Sequence, residues 1–205
     1  MNEQAWRDRV ISTAKEFTDV LWIPTEKNLF HGYDRNHILV NTPDIGYQSE
    51  KFQCGWWKVG EENRGMPYNW GGCCTVEGFI TAITSGKFAG NVPNTRDNGT
   101  GWDCTGVDCS GLVTVCWGLA KKQSTKTLAD LAVKLDSTDL LLPGDVLLLP
   151  GSHVMIFTEF ADYTKTDVNI IDSTRGTGKV SERMENLQEL LNKGYAGYRM
   201  KFNEV

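Results

Sequence analysis

Apolar positions change period several times along the chain, and each change marks an element. Trp6, Val10, Ala14, Phe17 and Leu21 keep near-helical spacing and predict an amphipathic helix over residues 3–21, ending before Pro24. Val76, Phe79, Ile80 and Ile83 predict a second helix over 75–85. Leu112, Val115, Cys116 and Leu119 fall at i, i+3, i+4 and i+7 and predict a third over 109–120. Further helices are expected at 127–135 and at 182–193. The last carries Met184, Leu187, Leu190 and Leu191 on one face, with Gly194 as its stop. Runs rich in apolar and β-branched residues at 145–150, 153–160, 167–172 and 196–202 read as strands. Pro143-Gly144 and Pro150-Gly151 supply turns between them, so the strands are expected to pair antiparallel. The pattern predicts an α+β fold, with the 109–120 helix packed on the sheet and the others covering it. Residues 24–64 read as irregular, and the first 64 residues as a helical arm packed on the remainder, 65–205. No internal repeat is visible.

The candidate chemistry starts at Asp108-Cys109-Ser110-Gly111, where the third helix opens. Asp108 is a good N-cap type, which puts Cys109 in the first turn, where unpaired N–H groups and the positive dipole end favour a thiolate. The plainer alternative is a small buried residue at a helix start. A nucleophile needs a base, and the chain holds three histidines, His31, His37 and His153. His153 opens a predicted strand after a turn, a rigid place from which an imidazole can face a helix. Asp172 ends another strand and is the candidate third member, fixing the imidazole tautomer. Taken singly, His153 reads as a backbone-bonded strand residue and Asp172 as a turn former. His31 and His37 have no cysteine or acidic neighbours at metal-ligand spacing and read as surface or turn residues.

Together these residues carry a resemblance. Asp108-Cys109-Ser110-Gly111-Leu112-Val113, Pro143-Gly144-Asp145-Val146 and His153-Val154, preceded by Gly65-Met66-Pro67-Tyr68-Asn69-Trp70-Gly71-Gly72, resemble in order the motifs of NlpC-type papain-like cysteine peptidases. The four motifs cover roughly residues 65–202. The resemblance implies a papain-like fold and a cysteine peptidase cutting murein peptides at D-glutamyl–diamino acid bonds. It implies Cys109 as nucleophile, His153 as general base and Asp172 as orienter. It further implies that Tyr68 lies near the active site to assist the oxyanion or substrate, and that Asp108 and Ser110 match positions that in some members contact a free substrate amine. Two departures stand out: many members carry histidine where Asp172 aligns, and the interval 73–107 is long, with a Gly/Asn-rich stretch from Gly86 to Gly101 that reads as a surface loop.

Composition narrows the partners. A net charge of −5 with no large Lys/Arg cluster argues against nucleic acid, and Lys121-Lys122 reads as the solvated end of a helix. Hydrophobic residues make up 40% and charged residues 23%, ordinary for a soluble globular protein. Of seven tryptophans, Trp56, Trp57, Trp70 and Trp102 crowd the proposed active-site segments. Core packing is the default for most of them, with Trp70 and Trp102 taken as candidates for an aromatic wall against substrate. The six cysteines contain no Cys-x-x-Cys pair, so neither a metal site nor a cofactor is expected, and nothing demands bridges among Cys54, Cys73, Cys74 and Cys104. The opening residues lack an export-signal pattern, and the longest apolar run, Val146–Leu149, is far too short to span a membrane. The expectation is a soluble protein, exported if a signal has been removed and otherwise acting inside on recycled peptides. Two rival classes use the same features: a papain-like acyltransferase or deamidase, and an inactive glycan- or peptide-binding module.

Overall fold

Each helix starts on a side chain that caps it. In the structure, a computed structural model describing residues 2–47, 55–93 and 101–201, Asn2 accepts from the Ala5 N–H to open α1, Glu3–Asp19. Thr75 caps α2, Val76–Thr84, Asp108 caps α3, Cys109–Cys116, and Ser124 caps α4, Thr125–Asp130. Asn186 caps α5, Leu187–Asn192, and Gly194 follows it at φ 93°, a left-handed stop that suits glycine.

The strands, in chain order, are β1 Leu21–Trp22, β2 His31–Tyr33, β3 Leu39–Asn41, β4 Asn63–Arg64, β5 Phe88–Ala89 and β6 Cys104–Thr105. They continue as β7 Ala132–Lys134, β8 Val146–Leu149, β9 His153–Phe160, β10 Asp167–Thr174, β11 Lys179–Asn186 and β12 Ala196–Met200. The last six form one antiparallel sheet in the order β11-β10-β9-β8-β12-β7. Period-2 alternation splits its apolar residues between two cores. Val154, Ile156 and Ile171 join Leu112, Val113 and Cys116 of α3, and Trp6, Val10, Ala14 and Phe17 of α1, in the larger core. Met155, Phe157 and Ile170 point the other way, to Leu187 and Leu190 of α5. The protein is thus a mixed α+β fold.

Two predicted helices are corrected. Residues 182–186 belong to β11, whose eight residues pair one for one with β10, leaving a helix of only Leu187–Asn192. Residues 132–134 form β7 on the edge of β12, so α4 is confined to Thr125–Asp130. In both cases a neighbouring strand with open hydrogen-bonding groups overrides a local helical pattern. The first helix stops at Asp19, and α3 stops at Cys116 ahead of Gly118, at φ 73°. The 24–64 stretch holds the β2–β3 hairpin, a short 3₁₀ turn and β4, which pairs with β1. Among the described residues no helix is long and apolar enough to cross a membrane.

A buried ion cluster ties α1 to the sheet. Asp145 is 0% exposed and accepts from Arg7 Nη1 at 2.8 Å, from Arg199 Nη2 at 2.7 Å and from the Leu142 N–H at 3.0 Å. Arg7, 3% exposed, also donates to the Pro143 carbonyl at 2.8 Å. Asp145→Ala strands the Arg7 cation in a dry site and is expected to cost about 3–5 kcal/mol of stability, read from urea unfolding midpoints. A loss under about 1 kcal/mol would show that water replaces the carboxylate at no penalty.

Candidate active site

The segment 65–72 and the start of α3 are built against each other. A Cβ on Gly111 would lie 2.0 Å from the Gly72 carbonyl oxygen, so only glycine admits this approach. The contact is then fixed by hydrogen bonds: Asp108 N–H to Gly72 O at 3.2 Å, Gly71 N–H to Asp108 Oδ2 at 3.0 Å and Gly111 N–H to Asp108 Oδ1 at 2.6 Å. Cys109 therefore sits half-buried in the first turn of a helix held rigidly at its N-terminus, where backbone N–H groups have no intrahelical acceptor.

The sheet supplies the base. His153 and Asp172 continue the alternating rows of Met155 and Ile170 and lie diagonally across β9 and β10. His153 Nε2 donates to Asp172 Oδ2 at 2.7 Å, which leaves Nδ1 as the remaining ring nitrogen, and Cys109 is near enough to act on the imidazole electrostatically. Burial works against the imidazolium, but the bond to Asp172 and the neighbouring Cys109 override it and raise the His153 pKa from 6.5 to about 10. Asp172 is 0% exposed, and its burial opposes ionisation. His153 and Arg183 together nevertheless hold its carboxyl below the usual range. Arg183 makes a two-pronged contact, Nε to Oδ1 at 3.1 Å and Nη2 to Oδ2 at 2.8 Å, and its other prong pairs with Glu185.

These groups open onto a cleft of about 860 Å³ lined by Tyr68, Trp70, Asp108, Cys109, Ser110 and His153, among others. Burial, with the negative charges of Asp108 and Cys109, raises the Tyr68 pKa well above the ordinary phenol value, so its hydroxyl remains a hydrogen-bond donor. The structure thus brings together seven of the eight residues singled out from the sequence. Trp102 is the exception: 74% exposed, it borders a separate cavity of about 600 Å³ beside Cys73, Cys74 and Cys104. Trp56 and Trp57 pack edge-on around Trp22, at ring separations of 6.0 and 5.5 Å, and take no part in the cleft.

The sequence pattern hides two partners of these site residues, Arg183 on Asp172 and Lys122 on Asp108. Arg183 lies on a segment with a helical apolar pattern, so its alternation as a strand residue was hidden. Lys122, read as a solvated helix end, instead turns back to the N-terminus of α3 and bonds both Asp108 and Ser110. His31 bonds Asp44 at 2.8 Å, and His37 holds the β2–β3 turn at φ 59°. Cys73, Cys74, Cys104, Cys109 and Cys116 are free thiols, while Cys54 lies outside the described residues. Burial pushes Cys104 up to about 12 and raises Cys74 and Cys116 as well, which keeps these three as inert thiols. The chain matches no family model, and comparison with curated proteins and with solved structures returns no significant match.

The His153 shift has a stability consequence of definite sign. Its folded pKa is raised above the unfolded value, so its contribution is complete below pH 6.5 and is lost as the pH climbs to about 10. Unfolding titrations of the protein and of His153→Gln are expected to differ most near the lower value and to converge toward the higher. A gap independent of pH across that window would contradict the ion-pair geometry.

Proposed function

We propose that the protein is a papain-like cysteine peptidase or amidase that hydrolyses amide bonds in bacterial wall peptides. One observation carries this reading: a single imidazole, bonded to a buried, arginine-held carboxylate, shares a cleft with a cysteine in the first turn of a capped helix. The ordered motifs that resemble NlpC-type enzymes give the substrate, a murein-type peptide with a D-glutamyl–diamino acid bond. Neither a metal nor an organic cofactor is needed for this chemistry.

His153 holds the proton of Cys109 as imidazolium, and the sulfur attacks the amide carbonyl. The oxyanion that forms meets the backbone N–H of Cys109 and the hydroxyl of Tyr68, which borders the same cleft. His153 then gives its proton to the departing amine, leaving an acyl-thioester. Neutral His153 takes a proton from water, the hydroxide displaces sulfur, and the acid is released. Asp172 stays ionised throughout, keeping Nε2 protonated so that Nδ1 faces the sulfur. A papain-like acyltransferase would use the same residues and differ only in the acceptor, so product analysis separates the two.

Iodoacetamide is expected to label Cys109 rapidly at pH 6, and His153→Ala to slow that labelling toward the behaviour of an ordinary thiol. Cys109→Ala should abolish muropeptide hydrolysis, and Tyr68→Phe should lower kcat roughly 10²–10³-fold, the usual cost of one oxyanion donor. Slow labelling at pH 6 that ignores His153, with no hydrolysis of any muropeptide, would instead indicate a binding module.

A further inference from the structure

Three oxygens converge on the ammonium of Lys122. Its Nζ lies 2.9 and 3.0 Å from Asp108 Oδ1 and Oδ2 and 3.1 Å from Ser110 Oγ, so each of its N–H groups has an acceptor. Asp108 is saturated in turn. Oδ1 also accepts from the Gly111 N–H at 2.6 Å and the Ser110 hydroxyl at 3.0 Å, and Oδ2 from the Gly71 N–H at 3.0 Å. Asp108 and Ser110 are both buried, and both border the cleft directly beside Cys109. Among the described residues lining that cleft, Asp108 is the sole carboxylate, whereas Lys122, Lys126, Arg175 and His153 are cationic or can become so.

A carboxylate and a hydroxyl aimed at one point form a receptor for an ammonium group, and here the chain fills it with its own. We propose that Lys122 is a specificity-determining residue that excludes a free substrate amine, so that the cleft takes peptides whose amine end is acylated. The inference rests on the reading of the site as a cysteine amidase and names its substrate class. A free-amine peptide would have to displace Lys122 from three hydrogen bonds or lie against it, cation to cation, with no other carboxylate on the cleft wall to receive it. An N-acylated peptide carries no such charge and can lie across the Lys122 stem. The free-amine contact that the sequence resemblance implies for Asp108 and Ser110 is therefore replaced, in this chain, by an internal one.

Two measurements test this, one of them independent of hydrolysis. Methanethiosulfonates with a 2-ammonioethyl or a 2-sulfonatoethyl tail both convert the Cys109 thiolate to a mixed disulfide and release methanesulfinate. Peptide mapping separates this modification from that of Cys73. Lys122→Met removes a cation and bares the Asp108 carboxylate, and it should raise the cationic-to-anionic rate ratio at Cys109 by about 10-fold or more. Lys122→Arg should keep the ratio near that of the unaltered protein. A ratio that Lys122→Met leaves within about two-fold overturns the inference.

The second measurement needs no variant. The unaltered protein should cleave an N-acetylated γ-D-glutamyl–diamino acid peptide with at least about 10-fold higher kcat/KM than its free-amine twin, about 1.4 kcal/mol of discrimination. Lys122→Met should narrow or invert that preference. Equal rates on the two peptides, or a preference for the free amine, overturn the inference while leaving the amidase reading intact. Hydrolysis of neither peptide overturns the amidase reading and the substrate class with it, and the exclusion of ammonium by Lys122 is then decided by the reagent ratio alone.

Discussion

A carboxylate with no exposed surface organises the candidate site. Asp172 cannot remain charged in the interior without cations, and the sheet brings it two: Arg183 from β11 and His153 from β9. Each obligation constrains the next. Because Arg183 takes both carboxylate oxygens, the carboxylate plane is fixed. Because Oδ2 also accepts from Nε2, the imidazole tautomer and ring direction are fixed with it. The remaining ring nitrogen is left for Cys109 across the shared cleft, and Cys109 keeps its place there because Asp108, Gly71, Gly72 and Gly111 hold the start of α3 against the 65–72 segment. The geometry of the candidate site follows from one desolvated charge and one close backbone approach.

Much of this was legible in the sequence, for local reasons. The N-cap at Asp108, the periodicity of α1, α2 and α3, and the turn-bounded strands read at 145–150, 153–160 and 167–172 are short-range signals, and the structure keeps them, with the strand ends shifted by a residue or two. What escaped depends on partners distant in sequence. Residues 182–186 carry Met184 in phase with Leu187 and Leu190, a helical arrangement, yet eight backbone pairings with β10 outweigh it. That error concealed Arg183. Lys122 was assigned to the helix end nearest in sequence, whereas the chain after α3 doubles back toward the helix start. Trp102 was placed in the cleft by proximity to Cys109 in sequence, a poor guide where an insertion intervenes.

Buried carboxylates recur as fasteners. Asp145 does for the scaffold what Asp172 does for the site, collecting Arg7 from α1 and Arg199 from β12 and so closing the larger core over α3. Asp108 repeats the device at the cleft wall with Lys122. In each case a cation from another segment neutralises an acid whose desolvation would otherwise be prohibitive, while apolar contacts of Leu112, Val113 and Cys116 with Val154, Ile156 and Ile171 hold α3 on the sheet.

The central claim is that His153 is held as a cation between Asp172 and Cys109, and its titration tests that most directly. Imidazole nitrogen chemical shifts of His153, followed by NMR from acid to alkaline pH, should show a cation that persists through neutrality and titrates at about 10. Titration near the ordinary histidine value of 6.5 would mean that His153 is not held as a cation at neutral pH.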